Sequence, residues 1–114
     1  GQDETILPCL AMGGARGGIG GTTNYNGREL VGIIDAWEKG DLELARERQN
    51  FSQEVINVIC RYRGNIVGGK RIMKLIGLDS GKNRTPFQNM TEEEEIQMKA
   101  ELEAINFFDR CNKL

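Results

Sequence analysis

Apolar residues recur along most of this chain at helical spacing. From Arg28 to Lys39 they fall at Leu30, Val31, Ile33, Ile34 and Trp37, one face of a helix. Lys39 suits the negative end of the helix dipole, and Gly40 offers a left-handed stop. Asp41 is placed to cap a second helix with the stripe Leu44, Phe51, Val55, Val58 and Tyr62, thickened by Ala45, Ser52, Ile56 and Ile59. A shorter third helix is expected over Gly69–Ile76, ended by Gly77, and residues 81–90, containing Pro86, read as a loop. Thr91 with Glu94 three residues on makes a capping box. The last amphipathic face follows it: Met98, Leu102, Ile105 and Phe108.

The first part of the chain has a different texture. Glu4–Met12 reads as a short apolar helix with Pro8 tolerated near its first turn, ended by Gly13-Gly14. The stretch GGARGGIGGTTN is too glycine-rich for a helix interior. Ile19–Thr23 is expected as a short buried strand whose glycines let another backbone or a ligand approach closely. Asn24–Gly27 then reads as a turn, with Asn26 as N-cap of the next helix. A lone strand leaves both edges unpaired, and the helix after it would expose Leu30, Ile33, Ile34 and Trp37 unless another segment covers them. The chain starts at Gly1 and not Met, and its 114 residues fall short of the ~250 that a complete α/β barrel takes. The expectation is therefore a missing upstream segment.

Composition narrows the function classes. A hydrophobic fraction of 39% with 28% charged residues is that of an ordinary globular protein, and 6% aromatics leaves the core to aliphatic side chains. The net charge of −2, with acids and bases interspersed, argues against a nucleic-acid surface; Arg61 with Arg63 and Lys70 with Arg71 read as solvated helix ends. No apolar run reaches the ~18 residues of a membrane span. Cys9, Cys60 and Cys111 are odd in number and far apart, which suggests free thiols and a cytoplasmic location. Asn50, Asn83 and Asn89 head Asn-x-Ser/Thr triplets that are read as chance.

With no histidine, a Ser-His-Asp or Cys-His arrangement is excluded within the chain, and the cysteines lack the C-x-x-C spacing of a zinc site, so no metal is expected. The glycine-rich stretch contains no G-x-G-x-x-G. Gly64–Lys70 satisfies G-x-x-x-x-G-K, but Arg71 stands where a magnesium-binding Ser or Thr belongs, and a helical stripe runs through Val55–Cys60 where a strand is needed. Glu92–Glu95 reads as a capped, solvated helix start. Asp3 and Glu4 have two readings: acids placed against a helix dipole, or acceptors for substrate hydroxyls at a barrel mouth.

Taken in order, these pieces resemble one family. Gly1-Gln2-Asp3-Glu4 before an apolar helix is similar to the G-x-D-E element after the seventh barrel strand of N-acetylneuraminate lyases. Gly17–Gly27 looks like their eighth strand and loop, G-A-I-G-S-T-Y-N-x-N-G; Gly40-Asp41, Asn65–Gly77, Arg84-x-Pro86 and Met90–Glu93 match the tail. The chain thus resembles the N-acetylneuraminate lyase and dihydrodipicolinate synthase family of pyruvate-dependent aldolases. The resemblance implies the C-terminal portion of a (β/α)8 TIM barrel (the end of strand 7, and strand 8) in residues 1–39, followed by a three-helix extension in residues 40–114.

It also implies a Schiff-base lysine and a proton-shuttling tyrosine upstream of Gly1, no catalytic residue on this chain, and no cofactor. Lys70 falls in the tail helices and is not that lysine. What carries over is a substrate-binding rim of Gly1, Asp3, Glu4, Gly20 and Gly21, the last commonly Ser in the lyases. Restoring that hydroxyl with Gly21→Ser is expected to improve sialic-acid cleavage. Implied partners are a small-molecule 2-keto acid or sugar, the upstream half of the same barrel, and further copies in a homo-oligomer, usually a tetramer; nucleic acid and membrane are not. The alternatives are a dihydrodipicolinate synthase-like part, or an inactive helical fragment serving as an interaction module.

Overall fold

A computed structural model describes residues 1–113, and they fold almost entirely as helices. A 3-10 turn, Asp3–Thr5, leads into α1, Ile6–Ala11; then come α2, Thr23–Glu38, and α3, Leu42–Arg61. A π turn, Asn65–Gly69, enters α4, Lys70–Leu75, and the chain closes with α5, Glu92–Ala104, and α6, Phe107–Arg110. The local signals account for several boundaries. Asp41 Oδ1 accepts from Leu44 N at 3.0 Å and caps α3. Thr91 and Glu94 exchange hydrogen bonds as a capping box at the start of α5. Gly40 and Gly77 stop the preceding helices at φ 75° and 114°.

Two apolar clusters hold the helices together. In the first, Leu30, Ile33 and Ala36 of α2 pack against Ile6, Leu7 and Leu10 of α1 and Ala45 of α3. The second gathers Tyr25, Phe51, Val55, Ile59, Val67, Ile72, Met98, Leu102 and Phe107 between α2, α3 and the tail. Each fully buried side chain of this size contributes about 1.5–3 kcal/mol. The face of α2 expected to be bare is thus covered within the chain: Leu30 and Ile33 are buried, and Ile34 and Trp37 are half-buried. Polar contacts tie the C-terminal segment to the same helices. Buried Glu29 accepts from Arg48 and Arg110, and the Arg110 guanidinium lies 3.9 Å over the Phe51 ring.

Four further expectations are corrected. Among the described residues there is no strand: residues 19–22 run as a loop and turn with Ile19 91% exposed, and Thr23 already begins α2, because no neighbouring strand is present to take the segment's hydrogen bonds. The expected turn at Asn24–Gly27 is the first part of α2, and Asn26 is not its cap; at φ −115° and ψ 15° it kinks the helix and donates to Ser52 Oγ at 3.1 Å. The last amphipathic helix ends at Ala104, Asn106 turns left-handed at φ 60°, and Phe107 becomes the fully buried anchor while Ile105 and Phe108 pack only in part. Arg71 is not a solvated helix end: it is buried and paired to Glu95 at 2.9 Å.

Candidate functional site

The rim residues gather where the 3-10 turn meets the glycine-rich loop. Gln49 on α3, buried, fixes that turn: its Nε2 donates to Asp3 O at 3.1 Å and its Oε1 accepts from Leu7 N at 2.9 Å. Gln53 one turn further on donates to Glu4 O at 3.1 Å. Backbone anchoring of this kind presents the Asp3 side chain toward Thr22. Thr22 is the N-cap residue of α2, yet its hydroxyl makes no cap bond; the hydroxyl and the amide N–H both donate to Asp3 Oδ2, the amide at 3.1 Å. The other carboxylate oxygen, Oδ1, is buried and without a hydrogen-bond partner among the described residues.

Gly20 makes this arrangement possible. A Cβ there would fall 2.0 Å from Asp3 Oδ1 and 2.3 Å from Oδ2, so any side chain at position 20 would displace the carboxylate. A buried polar atom left without a hydrogen-bond partner is costly. Gly1 stands at the same edge, with Ile19 O 3.3 Å from where its Cβ would lie, and the loop and turn enclose a cleft of ≈ 170 Å³ lined by Gly1, Asp3, Ile6, Gly17 and Gly18. Glu4 is half-buried, and its carboxylate makes no hydrogen bond among the described residues.

The structure therefore brings Asp3 and Gly20 into contact and sets Gly1 beside them. Gly21 instead abuts Asn65, whose Nδ2 would lie 2.0 Å from a Cβ at position 21. Asn65 Oδ1 in turn accepts from the Tyr25 hydroxyl at 2.7 Å. Burial, then the negative charge of Asp3, then Cys60, push the Tyr25 phenol well above its ordinary pKa, so it stays protonated. Gln49, Thr22, Tyr25 and Asn65 were not singled out by sequence. Their roles come from contacts across the fold, and only the proximity of Thr22 to the glycines hinted at one.

The other motifs hold no site. Val55–Cys60 lies inside α3, so the nucleotide-loop pattern at Gly64–Lys70 lacks its strand, and Lys70 Nζ donates to Lys82 O at 3.1 Å. Among the described residues no cluster of three His, Cys, Asp or Glu side chains is placed to hold a metal, and no helix is long and apolar enough to cross a membrane.

Comparison with known proteins places the chain in a family. The family model described as the dihydrodipicolinate synthetase family matches residues 1–105, and the chain belongs to that family. Within it, the chain is similar to N-acetylneuraminate lyases. It is 34% identical over 108 residues to the N-acetylneuraminate lyase of Rattus norvegicus, covering 94% of this chain and 33% of that protein. The solved N-acetylneuraminate lyase of Proteus mirabilis superposes with a TM-score of 0.84 at 31% identity, and that of Aliivibrio salmonicida with 0.84 at 29%; each match covers 93% of this chain and 35% of the other. Both neighbours are TIM-barrel lyases, and the chain spans about a third of the length of the relatives it matches.

Proposed function

We propose that these residues form the substrate-tail side of a Schiff-base-forming, pyruvate-dependent aldolase most like N-acetylneuraminate lyase. Residues 1–39 would supply the last βα units of its barrel and residues 40–114 a helical extension that takes part in homo-oligomer formation, in the cytoplasm. A lysine and a tyrosine of the preceding barrel segment carry the chemistry. The lysine amine condenses with the keto carbon, releasing water. The tyrosine takes the proton of the substrate hydroxyl as it becomes the aldehyde carbonyl, and the protonated imine accepts the electron pair of the breaking carbon–carbon bond. Asp3, Glu4, Gly1, Gly20 and Gly21 hold the hydroxylated tail of the substrate at the barrel mouth, where barrel active sites lie. The observation that supports this reading is the buried, unpartnered Asp3 Oδ1 opposite the bare backbone of Gly20.

The test is Asp3→Ala in the complete polypeptide. A hydrogen bond to a charged group is worth about 1.5–3 kcal/mol, so kcat/KM for a 2-keto acid with a polyhydroxylated tail should fall about ten- to hundredfold. Pyruvate capture, read as the borohydride-reduced adduct, should fall much less. Equal losses in both would make Asp3 a structural residue.

A further inference from the structure

Asn65 opens the π turn between α3 and α4, and its side-chain amide is bracketed by two glycines. A Cβ on Gly21 would fall 2.0 Å from its Nδ2, and one on Gly69 would fall 2.6 Å from its Oδ1. Neither position admits a side chain while the amide stays in place. Tyr25 keeps it there. The phenol, 1% exposed, donates to Oδ1 at 2.7 Å and has no other acceptor among the described residues. Moving the amide would leave a buried hydroxyl unpaired, which is unfavourable. With Oδ1 committed to Tyr25, the orientation of the amide is set. Its Nδ2 carries two N–H groups that meet no acceptor among the described residues, on an exposed residue beside Gly21.

We infer that Asn65 is a specificity-determining residue whose Nδ2 donates to an oxygen of the substrate's hydroxylated tail, and that Tyr25 is its positioning residue. The inference rests on the aldolase reading and deepens it. Asn65 occupies the space that a side chain at position 21 would need, and supplies a donor from another part of the fold. Asp3 Oδ1 accepts beside Gly20, and Asn65 Nδ2 donates beside Gly21. An acceptor beside Gly20 and a donor beside Gly21 suit a polyhydroxylated tail, one hydroxyl giving its hydrogen to Asp3 and another oxygen accepting from Asn65. It follows that Gly21→Ser alone does not create a better lyase. The new side chain must expel the Asn65 amide and unpair Tyr25.

Three variants of the complete polypeptide test this, with Asp3→Ala as the reference. Asn65→Asp keeps an oxygen for Tyr25 and removes the donor. It should lower kcat/KM for N-acetylneuraminate about five- to tenfold relative to a short-tailed 4-hydroxy-2-keto acid, the size of one hydrogen bond to a neutral partner. Gly21→Ser should also lower use of N-acetylneuraminate, and adding Asn65→Ala should recover part of that loss, so the two effects do not add. Equal loss on both substrates in Asn65→Asp, or additive effects in the double variant, would overturn the inference. If Asp3→Ala is selective and Asn65→Asp is not, the role of Asn65 falls and the aldolase reading stands; if neither is selective, both fall.

Discussion

The glycine-rich rim and the helical tail obey local rules to different degrees. In the tail, the two longest helices start on side-chain caps, Asp41 and Thr91, and three acids of α5 are paired: Glu94 with Arg63, Glu95 with Arg71, Glu101 with Arg61 and Tyr62. In the rim, the 3-10 turn and α1 have no side-chain cap, Thr22 gives its hydroxyl to Asp3 and not to α2, Ile19 stands in solvent, and a buried carboxylate oxygen has no donor. Asn26 Oδ1 and Arg48 Nε are also buried without a partner, but Asp3 Oδ1 is the one that belongs to a carboxylate beside an uncapped loop, and that makes the rim the place to look for a ligand.

The contrast can be sharpened by cutting one anchor on each side. The larger effect belongs to Gln49→Ala. It leaves Asp3 O and Leu7 N without their partners beneath the rim, and should cost about 2–4 kcal/mol in denaturant unfolding. Asp3 is released with it, so selectivity for the hydroxylated tail should fall as well. A stability loss with selectivity intact would separate the rim's rigidity from its function.

Glu94→Gln, on the tail, has the smaller effect and acts on stability alone. Arg63, then the Thr91 backbone N–H, hold the Glu94 carboxyl at about 2, below its ordinary 4.5. A depressed carboxyl stabilises the fold above its ordinary pKa, and that stabilisation is lost as pH falls from about 4.5 toward 2. The wild-type advantage over Glu94→Gln should therefore be present at neutral pH, vanish near pH 2, and shrink with salt because the pair lies at the surface. A difference in melting temperature independent of pH would contradict this account. The ratio of the two substrates should not change.

The parts of the fold legible in sequence were those set by neighbours a few residues apart. The stripe of α3 (in which Leu44 alone is exposed), the Asp41 cap, the Thr91–Glu94 box and the Gly40 stop all lie within one or two turns of what they control. The start of α2 was misread because Thr22 and Thr23 look like strand residues, whereas Asp3, far earlier in the chain, takes the Thr22 hydroxyl and the helix begins at Thr23. Phe107 was missed because the period of α5 points to Phe108; the left-handed Asn106 rotates the register by a position no periodicity count detects. Asp3 had two readings from its local sequence, and Gly20 and Gly21 entered as rim residues through the family resemblance. The resemblance did not reveal that Gly20 must lack a side chain because Asp3 fills its space, or that Asn65 stands over Gly21.

The division of labour between the rim and an upstream chemical centre is the central claim, and borohydride trapping with pyruvate tests it most directly. Reduction fixes a pyruvate adduct only on a lysine held neutral in a closed pocket, and the tail lysines lie at the surface; Lys74 and Lys99 face Glu95 and Glu103. The 114-residue chain incubated with pyruvate and borohydride should show no adduct by peptide mass, while the complete polypeptide should carry one, on a lysine preceding Gly1. A stoichiometric adduct on Lys70 or any other lysine of these residues would contradict the account.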